Sequence, residues 1–199
     1  MIKIFGKIPM EIAIAVSGGA DSMACLDFLR RTRDVVVLHY NHGTKYAPIA
    51  EQCVKEYCAK HDLNLVIGRC EEEMPKGVSA EAWWRDRRYE FFNEATSRKI
   101  VMAHHLDDVV ENWVFTSMNG NPSMIPRVRG NYLRPFLCTR KQDFVDWCER
   151  FSVPVVEDPS NSDTKYRRNY IRHELMPHIL QINPGIHKTI KKRIMNYES

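Results

Sequence analysis

The chain has 199 residues, 44% of them hydrophobic and 27% charged, with a formal net charge of +4. That length suits one domain of moderate size, and that apolar share is ample for a core, which excludes a disordered chain. No apolar run approaches the ~20 residues that span a bilayer, and Met1-Ile2-Lys3-Ile4-Phe5 lacks a signal-peptide layout, so a soluble, cytoplasmic protein with no membrane contact is expected.

The first apolar run, Ile12-Ala13-Ile14-Ala15-Val16, reads as a buried strand, and Cys25, Leu26 and Leu29 share one face of the helix that follows. Between them, Ser17-Gly18-Gly19-Ala20-Asp21-Ser22 is a tight strand-to-helix loop suited to a phosphate. Its two glycines let the backbone approach an anion, the amides of the helix's first turn point at it, and Ser17 and Ser22 add hydroxyl donors. The loop has no lysine and carries Asp21, whose charge repels a phosphate. A divalent cation bridging the two is the natural remedy.

Asp34-Val35-Val36-Val37-Leu38-His39-Tyr40 reads as a second strand ending in Asn41-His42-Gly43. A helix from about Ala47 follows, with Ala50, Cys53, Val54 and Tyr57 on one face, and then a third strand over 63–67. Gly77 and Ser79 precede a helix near 80–98, Ile100-Val101-Met102-Ala103 is a fourth strand, and 106–118 forms the next helix. Strands alternating with helices predict an α/β fold, a doubly wound, mainly parallel sheet flanked by helices, with ligands at the carboxyl ends of the strands. Residues 119–135, rich in Asn, Pro and Arg, read as a loop. Beyond it, 141–151 forms a helix with Phe144, Val145 and Cys148 inward, 153–156 is a short extended piece, and the remainder is helical with breaks at Pro177 and Pro184. The expected organisation is a catalytic domain over 1–177 and a short basic helical tail over 178–199.

Several stretches carry chemistry. In His104-His105-Leu106-Asp107-Asp108-Val109-Val110-Glu111-Asn112, helical spacing brings Asp107 or Asp108 together with Glu111, a carboxylate pair able to hold Mg²⁺ or an ammonium. Acids favoured by a helix N-terminus give the same pattern. Glu81, Arg85 and Arg88 form one polar stripe on the long helix, in which an arginine can clamp a phosphate or Glu81 and Arg85 can simply pair. Trp83 and Trp84 lie about 100° apart on that helix and cannot both enter one core. Late in the chain, Asp158-Pro159-Ser160-Asn161-Ser162-Asp163 leads into Arg167-Arg168-Asn169-Tyr170-Ile171-Arg172, basic residues interleaved with tyrosines as on a nucleic-acid surface. Residues 164–199 hold eight Lys or Arg against Glu174 and Glu198, so the basicity is a C-terminal property, suited to a polyanion or a solvated helix. The six cysteines stand at no metal-site spacing and read as free thiols.

The loop resembles the S-G-G-x-D-S signature of the N-type ATP pyrophosphatases, the PP-loop enzymes. That loop, the Asn41-His42-Gly43 turn, the E-A-x-x-R-x-x-R-Y helix, the A-H-H-x-D-D-x-x-E element and the D-P-S-N-x-D…R-N-x-I-R element together resemble the tRNA(Ile)-lysidine synthetase family over about residues 10–177. The resemblance implies an adenine nucleotide alpha hydrolase-like fold and a ligase that uses ATP and Mg²⁺. It implies adenylation of the wobble cytidine of a CAU-anticodon isoleucine tRNA with loss of pyrophosphate, followed by displacement of AMP by the amine of free L-lysine. Ser17, Gly18, Gly19, Asp21, Ser22, His42 and His105 are then expected at the nucleotide, and Asp21 and Asp108 at the metal. Asp21, Arg88, Asp108 and Glu111 are expected to be catalytic, and Arg85, Asn161, Arg168, Asn169 and Arg172 to meet tRNA or phosphate. Departures from the family pattern are Thr44-Lys45 where Leu-Arg is usual, Trp83-Trp84 in place of small residues, and Asn112 where a threonine is usual. The chain reads as a short form without the family's C-terminal domains, with its oligomeric state open and a homodimer among the options. Two other readings are a PP-loop tRNA thiolation enzyme, disfavoured by the missing C-x-x-C, and a non-catalytic tRNA- or nucleotide-binding protein, disfavoured by the complete acidic set.

Overall fold

In the computed structural model, which describes residues 1–72 and 74–197, four parallel strands form the centre of the molecule. They are β1 (Glu11–Ala15), β2 (Asp34–Asn41), β3 (Asn64–Arg69) and β4 (Lys99–Val101). The sheet order is β3-β2-β1-β4, extended by β6 (Tyr132–Leu133) and β5 (Val128–Arg129), with β5 the antiparallel edge. The chain winds outward from β1 to β2 and β3, then returns to place β4 on β1's other side. The switch point therefore falls between β1 and β4, where a doubly wound sheet opens a crevice.

The helices are α1 (Ala20–Arg30), α2 (Ala47–Lys60), α3 (Ala80–Ala95), α4 (Leu106–Met118) and α5 (Lys141–Phe151), followed by the short α6 (Arg167–Tyr170), α7 (Met176–Ile182) and α8 (Ile186–Tyr197). On one face of the sheet, Met23, Leu26 and Leu29 of α1 pack with Val54 and Tyr57 of α2 and Phe144 and Cys148 of α5 against Ile12 and Ile14. Phe92 of α3 covers Ala13, Leu38 and Ile100 on the other face. Burying both faces explains why β1 is a continuous apolar run. Val145, expected to point inward from α5, is only half-buried.

The loop expected over 119–135 contains the β5–β6 hairpin, whose Tyr132 and Leu133 pair with Ile100 and Val101. Two-residue strands carry no readable periodicity, so the tertiary pairing alone creates them. The extended piece 153–156 joins no ladder, although the Val156 amide donates to the Gly18 carbonyl at 2.9 Å. The residues past 177 are no appendage in packing terms. Ile186, Ile190 and Ile194 of α8 are buried with Val110 and Val114 of α4 and with Ile171 and Met176 in a second core. No helix among the described residues is long and apolar enough to cross a membrane.

Candidate active site

β1 delivers the chain to the crevice, where Gly18 turns it at φ +94° and Gly19 opens α1. A side chain at Gly18 meets that backbone strain and also Ala50 of α2, 3.1 Å from where its Cβ would sit, so glycine alone suits the position. The serines expected to donate to a phosphate are turned partly inward. The Ser22 hydroxyl donates to the Gly19 carbonyl at 3.0 Å, accepts the Ser17 amide at 3.1 Å and lies 3.1 Å from the Ser17 hydroxyl. They brace the loop, and the free amides of the α1 N-terminus are what it offers an anion.

The loop forms one wall of a cleft of about 460 Å³, to which it contributes Ser17, Gly19, Asp21 and Ser22. His42 and Arg88 contribute from β2's exit turn and α3, His104 and Asp108 from the end of β4 and the start of α4. Asn161, Arg168, Asn169 and Arg172 close the far side. Residues separated by more than a hundred positions in the chain therefore converge on one crevice.

His42 is set by its neighbours. Asn41 accepts the Gly43 amide at 2.8 Å and donates to Glu51 at 2.7 Å, which fixes the turn. Burial, with Arg88 nearby, pushes the His42 pKa down to about 4, and burial does the same to His104. Both imidazoles are neutral near pH 7, and the Nδ1 atom of each is buried without a hydrogen-bond partner. Arg88 is likewise enclosed, its Nε unpartnered and its pKa lowered by burial and by Arg85. Among the described residues it has no carboxylate within ion-pair range, so a half-buried guanidinium lines the cleft without a counter-anion from that set. Arg85 is exposed on α3 and does not line the cleft, so the expected arginine stripe divides. Glu81's side chain lies outside the described residues. Trp83 stacks under Arg87 at 4.9 Å, and the Trp84 ring lies 6.0 Å from His42, so both are half-buried packing residues.

At the start of α4, His105 and Asp108 cap the helix reciprocally: His105 Nδ1 accepts the Asp108 amide at 3.3 Å, and Asp108 Oδ2 accepts the His105 amide at 3.0 Å. His105 is buried behind Asp21, its Nε2 3.5 Å from Asp21 Oδ2. Burial works to lower the His105 pKa, but Asp108, Asp21 and Asp107 outweigh it and raise the value. For Asp108, burial works upward, while His105 and Arg168 pull the pKa below the usual carboxylate value.

The carboxylate pair exists, though not as bare ligands. Arg172 meets Glu111 with two bonds of 2.8 and 2.9 Å and reaches Asp108 at 3.2 Å; Arg168 meets Asp108 at 2.6 Å and Glu111 at 3.6 Å. A π-turn, Ile171–Leu175, carries Arg172 past α6 to this position. Asp107 turns away from the cleft: it accepts from Arg140, from the Lys141 amide at 2.8 Å and from His187 at 3.1 Å, linking the starts of α4, α5 and α8. Asn169 donates to the Ser160 and Asp163 carbonyls, so it shapes its own loop as well as lining the cleft. His39, His104 and Asp158 line the cleft without having been singled out; the signal available was their place at or just beyond strand ends and in the late polar motif.

Asp21 lines the cleft with its side chain one-third exposed, and its buried Oδ1 has no hydrogen-bond partner among the described residues. That donor fits a magnesium ion, which takes one or two protein carboxylates and completes its shell with phosphate and water. The metal role expected of Asp108 is revised, because its oxygens are occupied by Arg168, Arg172 and the His105 amide. Among the described residues no group of three His, Cys, Asp or Glu side chains is arranged to hold a metal unaided.

A glycine loop opening a helix at the switch point of a doubly wound sheet, faced by an arginine with no carboxylate partner among the described residues, defines an α/β protein with a crevice suited to an anion. The chain belongs to the PP-loop domain family, whose profile matches residues 3–179. It is 32% identical over 205 residues to a tRNA(Ile)-lysidine synthase of Exiguobacterium sibiricum, covering 96% of this chain and 49% of that one. A tRNA(Ile)-lysidine synthase of Francisella philomiragia is 31% identical, covering 96% and 51%. The chain thus spans about half the length of these curated relatives. Among solved structures, the U34-tRNA thiolase NcsA from Methanococcus maripaludis matches with TM-score 0.76 at 12% identity, covering 96% of this chain and 73% of that one. The NH3-dependent NAD synthetase from Campylobacter jejuni matches with TM-score 0.51 at 13% identity, covering 96% and 86%. These two likenesses are of fold.

Proposed function

We propose that the chain carries a lysidine-forming activity: ATP-dependent adenylation of the wobble cytidine of a CAU-anticodon isoleucine tRNA, then displacement of AMP by the amine of L-lysine. The observation that carries this reading is that one cleft holds an anion loop and Asp108, which forms with the buried Glu111 a carboxylate pair already occupied by the guanidiniums of Arg168 and Arg172. Lysine is an aliphatic cation of the kind such a pair selects, and the relatives named above bear that activity in their names.

Each residue has a task that follows from its position. The amides at the start of α1 hold the pyrophosphate end of ATP, with Ser17 and Ser22 keeping the loop in shape. Asp21 holds magnesium, which when bound neutralises phosphate charge. Arg88, which has no carboxylate partner among the described residues, offers its guanidinium to a phosphate oxygen as charge develops there. Asp108 and Glu111 orient the lysine amine; the depressed pKa of Asp108 makes it a holder of cations in preference to a proton acceptor. Adenyl transfer of this kind needs in-line positioning and charge neutralisation more than a side-chain nucleophile. The cytoplasmic location and the tRNA contacts of Arg85 and Asn161 belong to the same proposal.

The test is direct. Protein incubated with ATP, magnesium, L-lysine and unmodified CAU-anticodon tRNA is expected to yield lysidine on mass spectrometry of the digested nucleosides. Absence of lysidine from a protein that binds ATP overturns the reading. Asp21→Asn is expected to slow pyrophosphate release by about a hundredfold or more while leaving the fold intact.

A further inference from the structure

The segment 154–170 crosses the mouth of the cleft, and Val156, Asp158, Asn161, Arg168 and Asn169 all line it. No side chain in that segment is buried; the nearest core residues are Val153 before it and Ile171 after it. Most of its polar bonds are internal, such as Asn169 to the Ser160 and Asp163 carbonyls and Asp158 to the Ser160 amide. Beyond its junction with the following helix, its ties to the rest of the domain among the described residues are the Val156 amide to the Gly18 carbonyl at 2.9 Å, the Asn161 carbonyl to His173 Nε2 at 2.9 Å, and Arg168 to Asp108 at 2.6 Å and Glu111 at 3.6 Å. Of these, Arg168 makes the charged one that reaches into the cleft. A strap without apolar anchors opens at low cost in free energy.

Two carboxylates and two guanidiniums balance in charge at the strap's inner end. An ammonium entering that group leaves an uncompensated cation in a partly buried site, so one guanidinium must withdraw. The two are not equivalent. Arg172 grips Glu111 bidentately, is 23% exposed and follows the buried Ile171. Arg168 makes one short bond and one 3.6 Å contact, is 51% exposed and stands on a four-residue helix within the strap.

We propose that Arg168 is an internal occupant of the ammonium subsite and the pin that holds the strap 154–170 closed, and that an ammonium-bearing substrate displaces it. The freed guanidinium then meets a phosphate of the RNA, so that binding of the amino acid and binding of the RNA reinforce one another. The identity of those two ligands rests on the lysidine reading; the pin itself rests on the geometry of the strap.

Hydrogen–deuterium exchange over 154–170 and calorimetric titration of L-lysine, on the intact chain and on Arg168→Ala, test it. Without ligand, Arg168→Ala is expected to exchange about tenfold faster across the strap, as loss of a charge-assisted bond predicts. The unsubstituted protein reaches that rate only with lysine. Arg168→Ala binds lysine more tightly in the absence of RNA, and loses the gain in lysine affinity that tRNA confers on the unsubstituted protein. Arg168→Lys, which restores a cation, restores protection. Equal exchange in the two ligand-free proteins overturns the pin, and weaker lysine binding by Arg168→Ala with the tRNA effect intact overturns the occupant. If neither protein binds lysine, the lysidine reading falls, while the ligand-free comparison still decides the pin.

Discussion

His104 shows how a single residue's environment sets both chemistry and stability. Burial holds its folded-state pKa at about 4 against an ordinary 6.5, with Arg134 and Arg168 adding to the effect of burial and Asp108 opposing it. Between those values the unfolded chain binds the proton and the folded one does not, so stability falls as pH drops through that window, by up to about 3 kcal/mol for a shift of this size. His42 acts in the same direction. His105 has the opposite sign: its raised pKa contributes stability at low pH that is lost as pH rises through the folded-state value. Asp27, which accepts from Tyr57, Trp147, Arg30 and Arg31 and has its pKa lowered to about 2, begins to cost stability only below 3.8. Urea midpoints measured at pH 4.5, 5.5 and 6.5 are expected to decline more steeply for the unsubstituted chain than for His104→Gln. Parallel declines would show that His104 is not the titrating group. Residue types were readable in advance at this scale, since Asp21, Asp108 and Glu111 stand out by spacing. Which of them is bare and which is paired was not, because Arg168 lies sixty positions from Asp108 in the chain.

At the scale of elements, the C-terminal helix is the instructive case. Its basic residues suggest a tail that hangs from the domain, yet Ile186, Ile190 and Ile194 recur at four-residue spacing and bury one face against α4. Ile190 is 1% exposed, and Ile190→Ala is expected to lower stability by about 3 kcal/mol, read as a lower midpoint in thermal unfolding. A shift of under a degree would mean that α8 contributes little to the second core. The strands β1 to β4 and the helices α1, α2, α4 and α5 were legible from periodicity within a residue or two at most ends, because each is amphipathic or wholly buried. The β5–β6 hairpin and the π-turn were not, since their geometry answers to the neighbouring strand and to the Arg172–Glu111 contact.

For the whole molecule, charge is the property that matters to a polyanionic partner. The exposed edge of α8 presents Lys188 and Lys192, with Lys191 and Arg140 nearby around a smaller cavity of about 310 Å³ beside the start of α4. Truncation within α8 removes Ile190 and Ile194 from the core, so it cannot separate RNA binding from folding. The combined change Lys188→Glu, Lys191→Glu and Lys192→Glu leaves the apolar face in place. It is expected to weaken tRNA binding and to reduce the slope of log affinity against log salt by about two to three. An unchanged slope would make the α8 surface a solvated face and confine RNA contact to the cleft.

The sequence by itself determined the doubly wound sheet, the anion loop at its first turn and the acidic start of α4, because these follow from local periodicity, glycine spacing and helix geometry. Only the tertiary structure decided what those parts do to one another. It turned Ser22 into a brace, turned Asp107 away from the cleft, left Arg88 without a carboxylate partner and the buried Oδ1 of Asp21 without a hydrogen bond among the described residues, and set Arg168 and Arg172 on the acid pair. Those outcomes depend on contacts between residues far apart in the chain, where the energy of a charge is fixed by burial and by the partner that folding brings to it.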